Sequence, residues 1–234
     1  MSKSKLRLTP EQALVLSGAD SLPVDLGAVA DFFGIKRISY ADCAEAFDIT
    51  QEELYRAGRL GISFVCEGKY VCAINENACG DRRRRWTLAH ELAHCLLGHV
   101  SGEGLPQRSY EEERCAEEFA AGLLAPLAVL HYAGVSSAEQ TARLCGISAQ
   151  AAEIRFGQLS EKRRRALAQL SMARSSGERP ADPFLDSCGG RRLLEQFMPF
   201  ITGEICRRAL YGAPDERRTN GNLAYTSSRC GKGA

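Results

Sequence analysis

The stretch that decides the reading is TLAHELAHCLLGH, Thr87 to His99, which holds three of the chain's four histidines: His90, His94 and His99. Within it, His90-Glu91-Leu92-Ala93-His94 fits the pattern His-Glu-x-x-His. On a helix, residues four apart differ by about 40° of rotation, so both imidazoles leave one face, a turn apart. That suits two ligands of one tetrahedral zinc, which takes neutral imidazole nitrogens at about 2.0–2.1 Å. Glu91 lies to one side of the pair, within reach of a water on the metal but outside the ligand positions. Zinc lowers the pKa of such a water towards about 7, and a glutamate placed there takes its proton during attack on a carbonyl. Leu88, Leu92, Ala93, Leu96 and Leu97 bury the helix and keep the site dry. In so apolar a segment an unpaired histidine and glutamate would be costly, which sets this match apart from chance patterns on solvated helices.

A third ligand must come from elsewhere. His99 follows His94 by five residues, whereas H-E-x-x-H-x-x-G-x-x-H needs six. On a continuous helix it would stand about 140° round from His94, which makes it a helix-end or surface histidine. The next helical segment, SYEEERCAEEFAAGLLAP, starts with Ser109 and Glu112 as a capping box and stops before Pro126. Ala116, Phe119, Ala120, Leu123 and Leu124 form its apolar face. Rotation puts Glu112 and Glu113 on the edges of that face and turns Glu111 and Glu118 towards solvent. An acidic group on a core-facing stripe needs a partner or a metal. Geometry alone leaves Glu112 and Glu113 equally placed, and the helix dipole by itself favours acids in a first turn.

The rest of the chain supplies context. Its 234 residues suffice for one sizeable core or two small domains, and a net charge of +1 gives no global pull towards nucleic acid or membrane. No run of about 18 apolar residues and no signal-peptide pattern occurs, so the expected compartment is the cytoplasm, with no membrane partner. The ten cysteines are scattered without CxxC pairs and read as buried, reduced thiols. Thr9 with Gln12, and Thr50 with Glu53, mark capped helix starts, and Gly34 marks a stop after LGAVADFF. ISFVCEGKYVCAIN reads as a hairpin turning at Glu67-Gly68. If the strand Lys69–Asn75 is a free edge, it can hold an extended peptide by strand addition. Arg82–Arg85 reads as a solvated approach to the helix. AEQTARLCGISAQAAEIRF reads as two short helices with helix-turn-helix character, although Arg155 stands where packing calls for an apolar residue. SMARSSGERPADP reads as a linker, LLEQFMPFITGEICRRAL as a last helical element interrupted at Pro199, and TNGNLAYTSSRCGKGA as a loose tail. The expected divisions are 1–60 helical scaffold, 61–130 metallopeptidase core, 131–170 helical module and 171–234 linker, helix and tail.

RRRRWTLAHELAH together with ERCAEEFAAGLLAP closely resembles the ImmA/IrrE family of zinc metallopeptidases, and the likeness extends over roughly residues 10 to 165. The resemblance implies that Glu113, three before Ala116, is the third zinc ligand beside His90 and His94, and that Glu91 is the general base. Trp86 stands where the family usually has Phe. Glu117 replaces a small polar residue and becomes either a partner for a ligand histidine or a spare ligand. The group that stabilises the oxyanion is open: Tyr70, His131 and Tyr132 are candidates by type only. The implied fold is α+β, a mostly helical zincin-like core with a small hairpin sheet, followed by a helix-turn-helix-like module. The implied activity is zinc-dependent endoproteolysis of a DNA-binding repressor in a stress or mobile-element response. Two other readings stand beside it. One is a non-proteolytic zinc protein binding DNA or a partner through its helical module. The other is a redox sensor using Cys95 and Cys115.

Overall fold

The computed structural model describes residues 8–77, 80–100, 107–176, 181–185 and 189–211, without the side chains of 174–176 and 208–211. Helices α1 (Pro10–Leu16) and α2 (Leu26–Phe32) lead into strand β1 (Lys36–Ser39), α3 (Tyr40–Phe47) and α4 (Gln51–Ala57). The hairpin β2 (Gly61–Cys66) and β3 (Lys69–Ile74) follows, then α5 (Asp81–Leu97), α6 (Tyr110–Leu124), α7 (Leu127–Tyr132), α8 (Ala138–Cys145), α9 (Ala149–Ser176) and α10 (Gly190–Tyr211). The fold is a mostly helical α+β arrangement around one small sheet. The expected capping boxes are formed at Thr9/Gln12, Thr50/Glu53 and Ser109/Glu112, each satisfying two otherwise unpaired backbone donors. Glu67 and Gly68 make the hairpin turn with φ of 50° and 74°, the left-handed pair that a two-residue turn requires.

The sheet order is β1-β3-β2, with β1 parallel and β2 antiparallel to β3. This corrects the reading of Lys69–Asn75 as a possible edge: β3 is the central strand, and the edge next to the long helix is β2. Strand β1 gave no signal because KRIS holds a single apolar residue; its pairing to β3 makes it a strand.

Alternation along the hairpin gives the sheet two different faces. Ile62, Phe64, Val71 and Ala73 join Tyr40, Cys43 and Leu54 in a small cluster under α3 and α4. Gly61, Ser63 and Cys72 face the other way, towards α5, where Cys72 joins Ala89, Leu92, Ala93, Leu96 and the main core. Gly61 makes that approach possible. A Cβ there would lie 2.6 Å from Thr87 Cγ2 and 3.1 Å from Glu91 Cγ. The main core also draws on α1 (Ala13, Leu14) and α10 (Leu193, Phe197, Ile201). Gly122 on α6 leaves room for the Pro10 ring, which a Cβ would meet at 2.5 Å.

Three further expectations change. The Arg82–Arg85 run is the first turn of α5 itself: Arg84 pairs with Asp81, and Arg85 donates to the Val24 carbonyl at 2.5 Å. The second helix of the helix-turn-helix-like segment is 28 residues long and enters the stretch read as linker. Strong helix formers such as ALAQL and the pairs of Arg164 and Arg165 with Glu161 carry it on. Helix α10 continues through Pro199, with buried Phe197 and Ile201 holding both sides of the proline against the core. Residues 177–180 of the linker and the tail after 211 lie outside the described residues. No described helix is long and apolar enough to cross a membrane.

Gly61→Ala should overpack the β2–α5 contact and cost about 1–3 kcal/mol, read as a lower urea midpoint at unchanged m-value.

Candidate metal centre

Helix α5 carries His90, Glu91 and His94, and α6 packs along it. One turn apart on α5, the two imidazoles bring their Nε2 atoms within 3.1 Å of each other. Glu113, in the first turn of α6, places Oε2 3.0 Å from His90 Nε2 and Oε1 3.5 Å from His94 Nε2. Among the described residues His90, His94 and Glu113 form a group that could hold a metal ion. Donors held at 2.0–2.1 Å around a tetrahedral ion stand about 3.3 Å from one another, so the three groups fit such an ion with little adjustment. Glu112, the other carboxylate that helical rotation allowed, accepts from the Ser109 amide and hydroxyl in the capping box. The cap thus takes one acid of the first turn and leaves its neighbour for the histidines.

His94 is wholly buried, and His90 is partly so. Burial first, then the positive charge of Arg108 and the two neighbouring imidazoles, pushes His94 down to about 2. It is therefore neutral, the form that ligates a metal. Its second nitrogen, Nδ1, lies 3.1 Å from Nδ1 of His99. The left-handed Gly98, at φ 71°, ends α5 and turns the chain back, so that the His99 amide donates to the His94 carbonyl at 2.9 Å. His99 is thus neither in the ligand group nor a free surface residue. It fixes the ring of His94 from behind, as a hydrogen-bond partner of a ligand histidine does.

Glu91 is 3% exposed. Its Oε2 accepts from Ser63 Oγ at 2.8 Å and from the Arg108 guanidinium at 3.1 Å. Arg108 also donates to the Ser63 hydroxyl and, at 3.1 Å, to the Ser63 carbonyl, and its other terminal nitrogen lies 3.9 Å from Glu113 Oε1. Sequence reasoning found neither Ser63 nor Arg108. An inward-facing Ser amid the apolar run ISFVC was the one available signal for the first, and Arg108 precedes its helix with no pattern to mark it. Glu117, one turn after Glu113, is exposed. His131 and Tyr132 are engaged elsewhere. His131 accepts from Arg163 and stacks on Phe184 at 4.0 Å between centroids, and Tyr132 donates to Asp182. Cys95 meets Cys72, with their sulfurs 3.8 Å apart, and the seven described cysteines are all free thiols. Arg155 points inwards to the Ala125 carbonyl at 2.6 Å, and burial lowers its pKa to about 10.

A neutral buried imidazole has a signature in metal-free protein. The unfolded chain protonates His94 below its ordinary value of 6.5 while the folded chain does not, so the unfolded state binds more protons. The stability this residue contributes is full above pH 6.5 and is lost as pH falls towards 2. Below about pH 6 the loss should approach about 1.4 kcal/mol per pH unit, and His94→Gln should flatten it, both read from urea melts in chelator.

The family model described as Peptidase M78, the IrrE N-terminal-like domain, matches residues 44–156, a segment that holds β2, β3, α5 and α6. Comparison with curated proteins gives no match. Residues 44–156, which carry the His-Glu-x-x-His helix and the glutamate helix packed against it, thus form a domain of the Peptidase M78 family, the IrrE N-terminal-like domain.

Proposed function

We propose that the chain is a zinc-dependent endopeptidase that makes a limited cut in a regulatory protein. The observation that carries this reading is the convergence of His90, His94 and Glu113 on one point, with Glu91 buried beside them on the same helix. His90 and His94 would hold zinc through Nε2 and Glu113 through its carboxylate. Two imidazoles and one carboxylate match the donor set of a hydrolytic zinc site that keeps a position open. Bound there, zinc supplies Lewis-acid polarisation of a water and of the scissile carbonyl.

The chain's own residues do the rest. His99 sets the ring plane of His94. The apolar packing of Leu92, Ala93 and Leu96 under α5 closes the site from below. Glu91 takes a proton from the attacking water onto its carboxylate and passes it to the departing amine. Among the described residues no strand pairs with the outer edge of β2, and that edge offers an extended peptide a place to lie. Asn75 N–H donates to the Leu60 carbonyl at 2.9 Å, so inward pairing falls at residues 60, 62 and 64. The amide groups of Gly61, Ser63 and Val65 therefore point outwards, away from β3. Strand addition there gives main-chain recognition beside the metal position. A DNA-binding repressor as the substrate follows from the family resemblance.

The test compares new protein N-termini in host cells that express the wild type or Glu91→Gln, before and after DNA damage. Glu91→Gln should keep its zinc and lose cleavage by about 10²–10⁴-fold, the scale of a removed general base. Glu113→Ala should lose zinc as well, measured by metal content after dialysis. Identical N-termini from two equally stable, zinc-loaded proteins would reject the peptidase reading and leave a non-proteolytic zinc regulator.

A further inference from the structure

We infer that Arg108 is a latch that closes the site in the free protein and must leave before an extended peptide can bind; this rests on the peptidase reading above. Three contacts argue it. Arg108 donates to the Ser63 carbonyl at 3.1 Å, one of the outward groups on the edge of β2 with which no described strand pairs. It thereby occupies the acceptor that a peptide N–H would need to pair at that position. The same terminal nitrogen donates to Glu91 Oε2, so the carboxylate that must meet the attacking water is held by a cation instead. The other terminal nitrogen, 3.9 Å from Glu113 Oε1, brings the guanidinium to the margin of the metal position. One side chain thus covers the edge strand, the base and one carboxylate of the metal group together.

The docked arrangement is also poised to release. Arg108 is nearly enclosed, with its side chain 10% exposed, yet its Nε is buried without a hydrogen-bond partner. A buried guanidinium donor left unpaired carries a desolvation cost that the undocked side chain does not. Arg108 immediately precedes Ser109, whose capping box anchors α6. The side chain can therefore swing about its own torsions without disturbing Glu113, one turn on. An incoming strand that offers its own N–H to the Ser63 carbonyl replaces what Arg108 gives there, and Ser63 Oγ continues to donate to Glu91. Binding and unlatching are then one equilibrium, and the apparent affinity for peptide is reduced by the fraction of molecules that are closed.

The test uses full-length, zinc-loaded wild type, Arg108→Ala and Arg108→Lys at equal metal content. Two zinc-binding probes are titrated: a peptidyl hydroxamate with an apolar side chain, long enough to lie along β2, and acetohydroxamate, which reaches the metal alone. If about one molecule in ten is open, Arg108→Ala should tighten the peptidyl probe about tenfold relative to acetohydroxamate. Arg108→Lys keeps the charge but cannot bridge the carbonyl and the carboxylate together, and should fall between. A peptidyl probe that binds Arg108→Ala no more tightly than wild type, or more weakly, overturns the latch; weaker binding would make Arg108 a residue that grips substrate. Because the readout is affinity, a failed latch stays distinct from a failed peptidase, which the comparison of N-termini with Glu91→Gln decides.

Discussion

An imidazole taken wholly out of water needs a partner at each nitrogen, and His94 is the residue for which the fold meets that demand most completely. Its Nδ1 is matched by His99, and its Nε2 faces His90 and Glu113. Two Nε2 atoms 3.1 Å apart and a carboxylate between them make poor sense as a neutral hydrogen-bond cluster, since at most one proton can bridge the two rings. They make good sense around a cation. Burial drives His94 to its neutral form, so the energy spent in desolvating it also prepares it to ligate.

That requirement explains the layering of the fold. Helix α5 must lie close to the sheet to bury His94 and Glu91, and only a strand presenting small residues on that face permits it. Gly61, Ser63 and Cys72 are those residues, while the opposite face carries Ile62, Phe64, Val71 and Ala73 under α3 and α4. Ser63 does two things at once: its side chain donates to Glu91, and its backbone carbonyl faces outwards from the edge. The second helix then needs only its first turn in register. The Ser109 capping box supplies this by tying down Glu112 and presenting Glu113 to the histidines.

Much of this was legible from residues alone, and the exceptions have physical causes. The ligand helix, the capped glutamate helix and the hairpin carry strong local signals: a fixed spacing, a capping box and a left-handed turn. The bond between His99 and His94 was missed because a continuous helix carries the two rings apart, whereas Gly98 ends the helix and folds the chain back. Glu112 and Glu113 cannot be separated by rotation; only the side-chain cap separates them. Strand β1 and the central position of β3 depend on non-local pairing, which no window of sequence contains. Arg108 belongs to the same class, since what it does is set by a strand 45 residues earlier. The reach of α9 and the continuity of α10 through Pro199 show tertiary packing and helix propensity overriding composition and a single breaker.

The close contact of Pro10 with the Cβ-less face of Gly122 bears on what counts as the smallest working unit. The segment that matches the family begins at residue 44, yet α1 lies outside it and is seated directly on α6, the helix that carries Glu113. Helix α10, beyond the other end of the match, contributes Leu193, Phe197 and Ile201 to the same core. The matched segment and the packed core therefore have different borders. The family match runs through residues 44–156, but the helices that carry the candidate metal group are braced by flanking segments that lie outside that match. A chain could diverge freely in those braces and keep its lineage recognisable, provided each replacement still fills the space beside a bare glycine.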